Sequence, residues 1–119
     1  MSCGRIDYFG GAYNQMIKLV CLIGRPETVS HDAFVQWWLG HHAKVAGQLP
    51  GLRHYIISVA PEQDSGQVPP FDGVAELWFD SPEAMNLAFA SEKGKECARE
   101  DRQLIGRRIA FVTEEHIII

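Results

Sequence analysis

The hydrophobic positions of this chain follow two periods, one typical of β-strands and one typical of an amphipathic helix. Ile17–Gly24 is almost continuously apolar, which predicts a strand that is covered on both faces. Leu52–Val59 is rich in β-branched and aromatic residues, and Gly73–Phe79 alternates, so each predicts a further strand. A fourth strand is predicted over residues 108–115, followed by a β-prone apolar tail at 117–119.

The segment between the first two strands has the hydrophobic period of a helix. Ser30 is a good N-cap for a helix that begins at His31 and reaches about Gln48. In a regular α-helix, the spacing i, i+4, i+7 and i+11 places four residues on one stripe: Phe34, Trp38, His41 and Val45. His42 then lies on the flank of this stripe, so we interpret His41 as the structural histidine of the pair.

A second helical region follows the third strand. Ser81 and Pro82 form a strong helix start, and the helix is predicted to reach about Phe89. A second helical piece extends from Ser91 to about residue 105, with a break or bend near Gly94. The acidic residues of this piece are interleaved with arginines, which predicts a solvated helix face with local ion pairs. These acidic residues are Glu96, Glu100 and Asp101.

The order of these elements is βαββαβ, which predicts an α+β, ferredoxin-like fold: a four-stranded antiparallel sheet with both helices on one face. Two helices cover only one side of the sheet, yet the strands carry apolar residues on both sides. In the third strand, Val74, Glu76 and Trp78 share one face, and a monomer would expose them. We therefore expect a homodimer in which two sheets pack together and enclose a half-apolar cavity.

The length and composition indicate a single globular domain. Residues 1–15 show neither period, so we interpret them as an N-terminal arm or extension and residues 16–119 as the domain. The formal net charge of −4, without a basic stripe, argues against a nucleic-acid partner. No apolar run is long enough to cross a membrane and no signal peptide opens the chain, so a cytoplasmic protein without a membrane partner is expected.

The sequence shows no signature of a metal site or of a bound cofactor. Cys3, Cys21 and Cys97 are widely separated and form no CxxC pair, so they predict neither a zinc site nor a disulfide framework. Three histidines and one glutamate are enough in number to bind a metal, but their spacing does not support such a site. Phosphate-binding glycine loops and dinucleotide fingerprints are also absent. We therefore expect no metal and no cofactor.

Three side chains are candidates for proton-transfer chemistry. An imidazole has a reference pKa near 6.5, so His42 could take and give a proton near neutrality; alternatively it is a surface or structural histidine. Tyr55, on the next strand, could donate its hydroxyl to a carbonyl or enolate oxygen, or be a core tyrosine. Glu76 sits in mid-strand, where it could act as an acid or base if its face lines a cavity. If that face is exposed, Glu76 is only a solvated charge.

Aromatic and terminal residues are candidates for the wall of a binding site. Trp38, Trp78 and Phe71 could form an apolar wall for a flat ligand, with plain core packing as the alternative for Trp38. His116, near the end of the last strand, could reach a partner subunit or the mouth of a pocket. The polar loop at residues 61–70 is long enough to act as a lid. Together these residues predict a small apolar or aromatic metabolite as the ligand.

Several of these residues, taken in order, resemble the EthD domain family. One group of residues resembles the first half of the EthD domain: Phe34, Trp38, His42-Ala43, Leu49-Pro50-Gly51-Leu52-Arg53 and Tyr55. Residues 71–80 resemble the family's third strand and residues 111–116 its last strand, so the similarity extends over about residues 16–118. The resemblance implies a dimeric α+β barrel, in which two ferredoxin-like subunits pack their sheets together.

The resemblance also implies a function. The family is similar to the muconolactone methylisomerases, in which a helix histidine and a strand tyrosine are implicated; these fall on His42 and Tyr55. It thus implies a cofactor-independent lyase or isomerase that moves a proton on a carbonyl-bearing cyclic or aromatic small molecule, with Glu76 orienting or relaying. Two alternatives stay open: a non-catalytic binding or accessory protein of a catabolic or biosynthetic cluster, and a cofactorless monooxygenase. Lys44 departs from the proline that commonly follows His-Ala in the family, which leaves the substrate class undefined.

Overall fold

Four strands form one antiparallel sheet in the computed structural model, which describes residues 16–61 and 68–119. They are β1 (Ile17–Gly24), β2 (Leu52–Val59), β3 (Gly73–Phe79) and β4 (Arg107–Thr113), arranged in the order β2-β3-β1-β4. The predicted βαββαβ, ferredoxin-like fold is confirmed, with β4 beginning and ending slightly earlier than predicted. The N-terminal arm and most of the predicted lid lie outside the described residues.

The first helical region consists of α1 (His31–Trp37), a π-helical turn (Trp38–His42) and α2 (Ala43–Ala46). Ser30 caps α1 as predicted, because its Oγ accepts the backbone N–H of Ala33 at 3.1 Å. A π-helical turn holds one residue more than an α-helical turn, so the residues after it are shifted by one position around the helix. His42 therefore takes the buried position that regular spacing assigned to His41, whose side chain is 61% exposed. The expectation that His41 lies on the packing stripe was therefore wrong.

The second helical region consists of α3 (Pro82–Ala90) and α4 (Glu92–Leu104). Ser91 separates them: it ends α3 in extended backbone, and its Oγ accepts the N–H of Gly94 at 3.1 Å to cap α4. The predicted restart of the helix at Ser91 is therefore confirmed, whereas the break or bend predicted near Gly94 is not found, since α4 continues through Gly94. Gly94 is required for a different reason, since a Cβ there would come within 2.4 Å of the carbonyl oxygen of Phe89. Only glycine lets α4 begin so close to the end of α3.

The helices pack on one face of the sheet and enclose the hydrophobic core. Side chains alternate between faces along each strand, and paired positions of β1 and β3 point to the helices together. The buried pairs are Ile17↔Phe79, Leu19↔Leu77 and Cys21↔Ala75. Trp38 is only 1% exposed and packs against Phe34, with ring centroids 5.7 Å apart. The π-helical turn is thus anchored in the core by its first residue.

The other face of the sheet, here called the open face, has no helix over it among the described residues. Its apolar residues are Val20, Leu22, Ile56, Val74, Trp78, Ile109 and Phe111. Ile56 on β2 and Ile109 and Phe111 on β4 are 49%, 50% and 52% exposed, so both edge strands of the sheet expose large apolar side chains on this face. An apolar face is therefore present as the strand pattern predicted, but the expectation that Trp78 would be exposed on it was wrong, since Trp78 is only 8% exposed. Within the described ranges, no helix has both the length and the apolar character needed to cross a membrane.

Candidate functional site

A small cavity lies between the sheet and the helices. Its volume is about 40 Å³, and most of its wall is formed by apolar side chains of β1, β3 and the helical regions. The polar or ionisable side chains in its lining are Cys21, His42, Tyr55, Cys97, Asp101 and Arg108. We call it the helix-side cavity. The structure thus brings three predicted site residues, His42, Tyr55 and Trp38, to one place.

His42 is held in this cavity by three contacts. Its Nδ1 lies 2.6 Å from Oε1 of Glu100, and its Nε2 lies 3.3 Å from Oδ1 of Asp101. Its ring stacks on Trp37, with centroids 4.8 Å apart and planes inclined by 23°. The imidazole is therefore fixed in orientation, with Glu100 behind it and Nε2 on the side of Asp101. In the part of the chain that the structure describes, no three His, Cys, Asp or Glu side chains converge as metal ligands would.

The two carboxylates determine the protonation of His42. Burial acts to lower the pKa of its imidazole, but the hydrogen bonds to Asp101 and Glu100 outweigh burial, so the pKa is raised above 6.5. A carboxylate only accepts hydrogen bonds, so the network assigns a proton to each ring nitrogen. The two contacts therefore favour the imidazolium form of His42. Once it has lost the proton on Nε2, it is a stronger base than an ordinary histidine.

The phenol of Tyr55 and the two thiols of the cavity keep their protons near neutral pH. Burial raises the pKa of the Tyr55 hydroxyl well above 10.0, so the phenol keeps its proton and can donate it in a hydrogen bond. Burial also raises the pKa of the Cys97 thiol to about 11 and that of Cys21 above 9.0. Neither thiol offers a thiolate nucleophile under these conditions. The site is suited to proton transfer rather than to thiolate chemistry.

Sequence reasoning missed the two carboxylates of the site. Glu100 and Asp101 were predicted to lie on a solvated face, but their side chains are 12% and 26% exposed. Both follow the buried Cys97 at i+3 and i+4, the spacing of one helix face, so the signal was present in the sequence. The histidine that faces them comes from another helix, and no local pattern shows that. Glu96, by contrast, forms the predicted local ion pair, with Lys93 at 2.9 Å.

Glu76, Trp78 and His116 lie on the opposite side of the sheet from the helix-side cavity. Oε2 of Glu76 accepts a hydrogen bond from Nζ of Lys18 at 2.9 Å, and the same Nζ lies 3.3 Å from Glu115. Trp78 donates its Nε1–H to Glu115 at 2.8 Å, and His116 lines a groove beside Lys18. Glu76 is thus a paired carboxylate of the open face. It does not reach the helix-side cavity, because successive strand residues point to opposite faces.

Phe71 lies in a third place, at one end of the sheet. Its ring is 4.5 Å from the guanidinium of Arg107, and it lines an apolar groove of about 510 Å³ together with Leu22 and Val74. It is therefore not part of the helix-side cavity, and the predicted aromatic wall is divided between separate surfaces. Lys44, which stands in the family's proline position, is exposed and does not line the cavity.

Comparison with known proteins places these features in context. The family model of the EthD domain matches residues 26–105. The 4-carboxymethyl-4-methylbutenolide mutase of Pseudomonas reinekei is 30% identical over 109 residues, which cover 84% of this chain and 98% of the mutase. A crystal structure of an EthD family protein from Bacillus halodurans has a TM-score of 0.73 at 24% identity, covering 85% of this chain and 99% of that protein. A dimeric ferredoxin-like protein of unknown function from Thermobifida fusca has a TM-score of 0.67 at 16% identity, covering 93% and 98%.

Proposed function

Since this chain belongs to the EthD domain family, we propose that it is a cofactor-independent isomerase or lyase that acts in the helix-side cavity. The reaction is a proton transfer on a small cyclic molecule that bears a carbonyl group. One observation carries the proposal: His42, held from behind by Glu100, lines the same buried cavity as the protonated phenol of Tyr55. The Pseudomonas relative supports it, since its name describes a mutase of a butenolide, which is a cyclic ester.

His42 acts first as the general base and then as the general acid. Neutral His42, with its proton on Nδ1 towards Glu100, takes a proton from a carbon next to the carbonyl with Nε2. The C–H bond breaks, an N–H bond forms, and the electron pair moves onto the carbonyl oxygen. The same N–H then returns the proton at a second carbon, which completes an isomerisation. General acid–base catalysis of this kind typically contributes ~10²–10⁴-fold in rate.

Tyr55 stabilises the negative charge that develops on the carbonyl oxygen. Its hydroxyl stays protonated because burial raises its pKa, so it is a hydrogen-bond donor throughout the reaction. A donor aimed at a developing oxyanion in a water-poor site is worth roughly 3 kcal/mol of transition-state stabilisation. Glu100 complements this by stabilising the imidazolium that His42 becomes.

Substrate binding requires lining side chains to move. A volume of about 40 Å³ holds only a few water-sized spheres, at roughly 10–15 Å³ each. Asp101 is the first side chain to yield, since its contact with Nε2 of His42 is 3.3 Å while that of Glu100 with Nδ1 is 2.6 Å. Asp101 and the neighbouring Arg108 are also 26% and 38% exposed, so they mark the path from solvent. Displacement of Asp101 frees Nε2 for the substrate.

The proposal includes a homodimer formed through the open face. The apolar residues that this face exposes need a partner, and a second copy supplies an equally apolar surface in an isologous contact. The dimeric relative from Thermobifida fusca has the same fold, which supports this arrangement. In such a dimer the two helix-side cavities lie on the outer sides of the paired sheets, so each subunit carries its own site.

The test is turnover of butenolides and related lactones by four proteins: the wild type, His42→Gln, Tyr55→Phe and the control His54→Gln. We expect His42→Gln to lower kcat/KM by roughly 10²–10⁴-fold and Tyr55→Phe by about 10²-fold. His54 lies on the open face beside Trp78, so the control keeps wild-type activity. Since His42→Gln disturbs two carboxylates and can lower stability, Tyr55→Phe provides the independent readout.

Two outcomes contradict the proposal. Full activity of both His42→Gln and Tyr55→Phe would show that the chemistry takes place elsewhere. Binding of a lactone that shifts the NMR signals of His42 without any conversion would instead identify a binding or accessory protein.

A further inference from the structure

We propose that His41 and Glu100 form a proton relay that connects the buried His42 with bulk water. The two histidines are neighbours in the π-helical turn, and one carboxylate joins them. Oε2 of Glu100 lies 2.6 Å from Nε2 of His41, and Oε1 lies 2.6 Å from Nδ1 of His42. The proposal rests on the role given to His42 above, but its test needs no substrate.

The exposures of the three side chains increase along this path. The side chain of His42 is 9% exposed and that of Glu100 is 12% exposed, so direct access of water to Nδ1 is restricted. The side chain of His41 is 61% exposed. A proton that enters or leaves through Nδ1 must therefore pass Glu100, and His41 is the solvent-exposed group at its other oxygen. Imidazole suits this position because it exchanges protons with water near neutral pH.

The π-helical turn allows both histidines to reach one carboxylate. In a regular α-helix, neighbouring residues point about 100° apart around the axis, which separates their side chains. The π-helical turn from Trp38 to His42 winds less tightly, and both rings meet Glu100 of α4. Such turns are rare and occur frequently at functional sites.

Each step of the relay transfers one proton, and no group is oxidised or reduced. Protonated His41 gives its Nε2 proton to Oε2 of Glu100, so an N–H bond breaks and an O–H bond forms. A half-turn of the carboxyl group exchanges its two oxygens and brings the O–H to His42. When Nδ1 of His42 carries no proton, it takes this one, and Glu100 is again a carboxylate. His41 takes a replacement proton from water, and the outward path is the reverse.

His41 is not a catalytic residue in this scheme, because it touches neither the substrate nor the reacting atoms. A purely structural role, in which His41 only holds Glu100 in place, is the competing explanation. Glu96 of α4 also lies close enough to His41 to interact with it electrostatically. The two roles differ in one respect: a hydrogen-bond donor that cannot carry a proton satisfies the structural role but not the relay.

His41→Gln makes this distinction, since its amide N–H can still donate to Glu100. The measurement is the rate at which the imidazole N–H of His42 exchanges with water, observed by NMR of protein labelled with ¹⁵N-histidine at fixed pH. We expect exchange to slow by about 10-fold or more in His41→Gln. Free imidazole added to the solution should restore part of the rate in this variant and change the wild type little. The matched control His54→Gln should exchange like the wild type.

The direction of the change decides between the two roles. If His41 only holds Glu100 in place, the amide of Gln keeps that contact and the exchange of His42 stays unchanged, or becomes faster where the contact is weakened, whereas loss of the relay makes the exchange slower. An exchange rate in His41→Gln that equals or exceeds that of the wild type overturns the relay. The measurement is made without substrate, so it stands whether or not the lactones are converted. Conversely, failure of the turnover experiment leaves the relay intact as a property of the free protein.

Discussion

His42 is an ionisable residue whose environment is supplied by side chains distant in sequence. Burial of a lone imidazolium would cost several kcal/mol, and the carboxylates of Glu100 and Asp101 offset this cost. Trp37 restricts the ring to one plane, with centroids 4.8 Å apart. The same contacts serve stability and the proposed chemistry, because they fix the ring and favour its charged form. A change at His42 therefore affects both.

The pKa of His42 makes stability depend on pH. A group whose pKa is raised on folding stabilises the protein fully below its ordinary pKa, and this contribution is lost as the pH rises through the raised value. We expect the free energy of unfolding to fall as the pH increases above 6.5, by at most about 1.4 kcal/mol per pH unit from this one group. Urea denaturation at several pH values measures it.

Two variants isolate the contribution of His42 to the dependence of the free energy of unfolding on pH. His42→Gln should flatten the dependence on pH above neutrality, because Gln does not titrate. His54→Gln, which removes an exposed imidazole on the other side of the sheet, should keep most of the slope. Equal slopes in the wild type and His42→Gln would mean that His42 does not gain a proton on folding.

At the level of elements, the sequence specifies the strands well and the π-helical turn not at all. Alternation of side chains and β-branched composition define β1, β2 and β3, and these follow from local sterics. The π-helical turn depends on packing, since its first and last residues, Trp38 and His42, are both buried. No propensity encodes such an insertion.

For the candidate site too, residues with a local signal were found from the sequence, whereas contacts between distant residues were not. The sequence singled out His42 and Tyr55 by residue type and by resemblance, and the structure brings both to one cavity. Glu76 was grouped with them because nothing local tells which face of the sheet the helices cover. Glu100 was missed because its partner lies 58 residues away in the chain. Pairings of this kind are properties of the tertiary fold.

The π-helical turn can be tested by deletion of Gly40. This residue lies inside the turn, and no heavy atom lies within 4 Å of the position of an added Cβ. Removing one residue from a π-helical turn restores a regular α-helix without rotating the residues that follow, so His42 and Ala46 keep their orientation. We expect the variant to fold, with a free energy of unfolding within about 1 kcal/mol of the wild type, since a helical glycine is itself unfavourable.

Deletion of Lys95 is the matched control for this experiment. Lys95 is exposed in the regular helix α4, and its removal turns every later residue of that helix by about 100°. Cys97 would leave the core and Glu100 would lose its contacts with the two histidines, so this variant should lose its cooperative unfolding transition. If both deletions are equally damaging, the turn does not contain an accommodated extra residue.

At the level of the whole molecule, the sheet separates two surfaces of different chemical character. The helix-side cavity contains the acid–base groups, while the open face carries exposed apolar side chains around one polar cluster. In this cluster Lys18 contacts Glu76 at 2.9 Å and Glu115 at 3.3 Å, and Glu115 accepts the indole N–H of Trp78. A polar cluster in an apolar interface favours one orientation of the two subunits, because apolar side chains placed over these charges would remove them from water at a cost. The open face is thus suited to a specific dimer.

Phe111→Glu tests whether the open face forms this dimer. Phe111 is 52% exposed on β4 and pairs with Val20 of β1, within the apolar face. Burial of a phenylalanine contributes about 1.5–3 kcal/mol, and a two-fold contact contains it twice, so the substitution should weaken association by roughly 10²–10⁴-fold. Val112 is the control: it is 46% exposed but points to the other side of the same strand, so Val112→Glu should remain dimeric. Sedimentation equilibrium measures both variants against the wild type, and a dimeric Phe111→Glu or a monomeric wild type would rule out the open face as the interface.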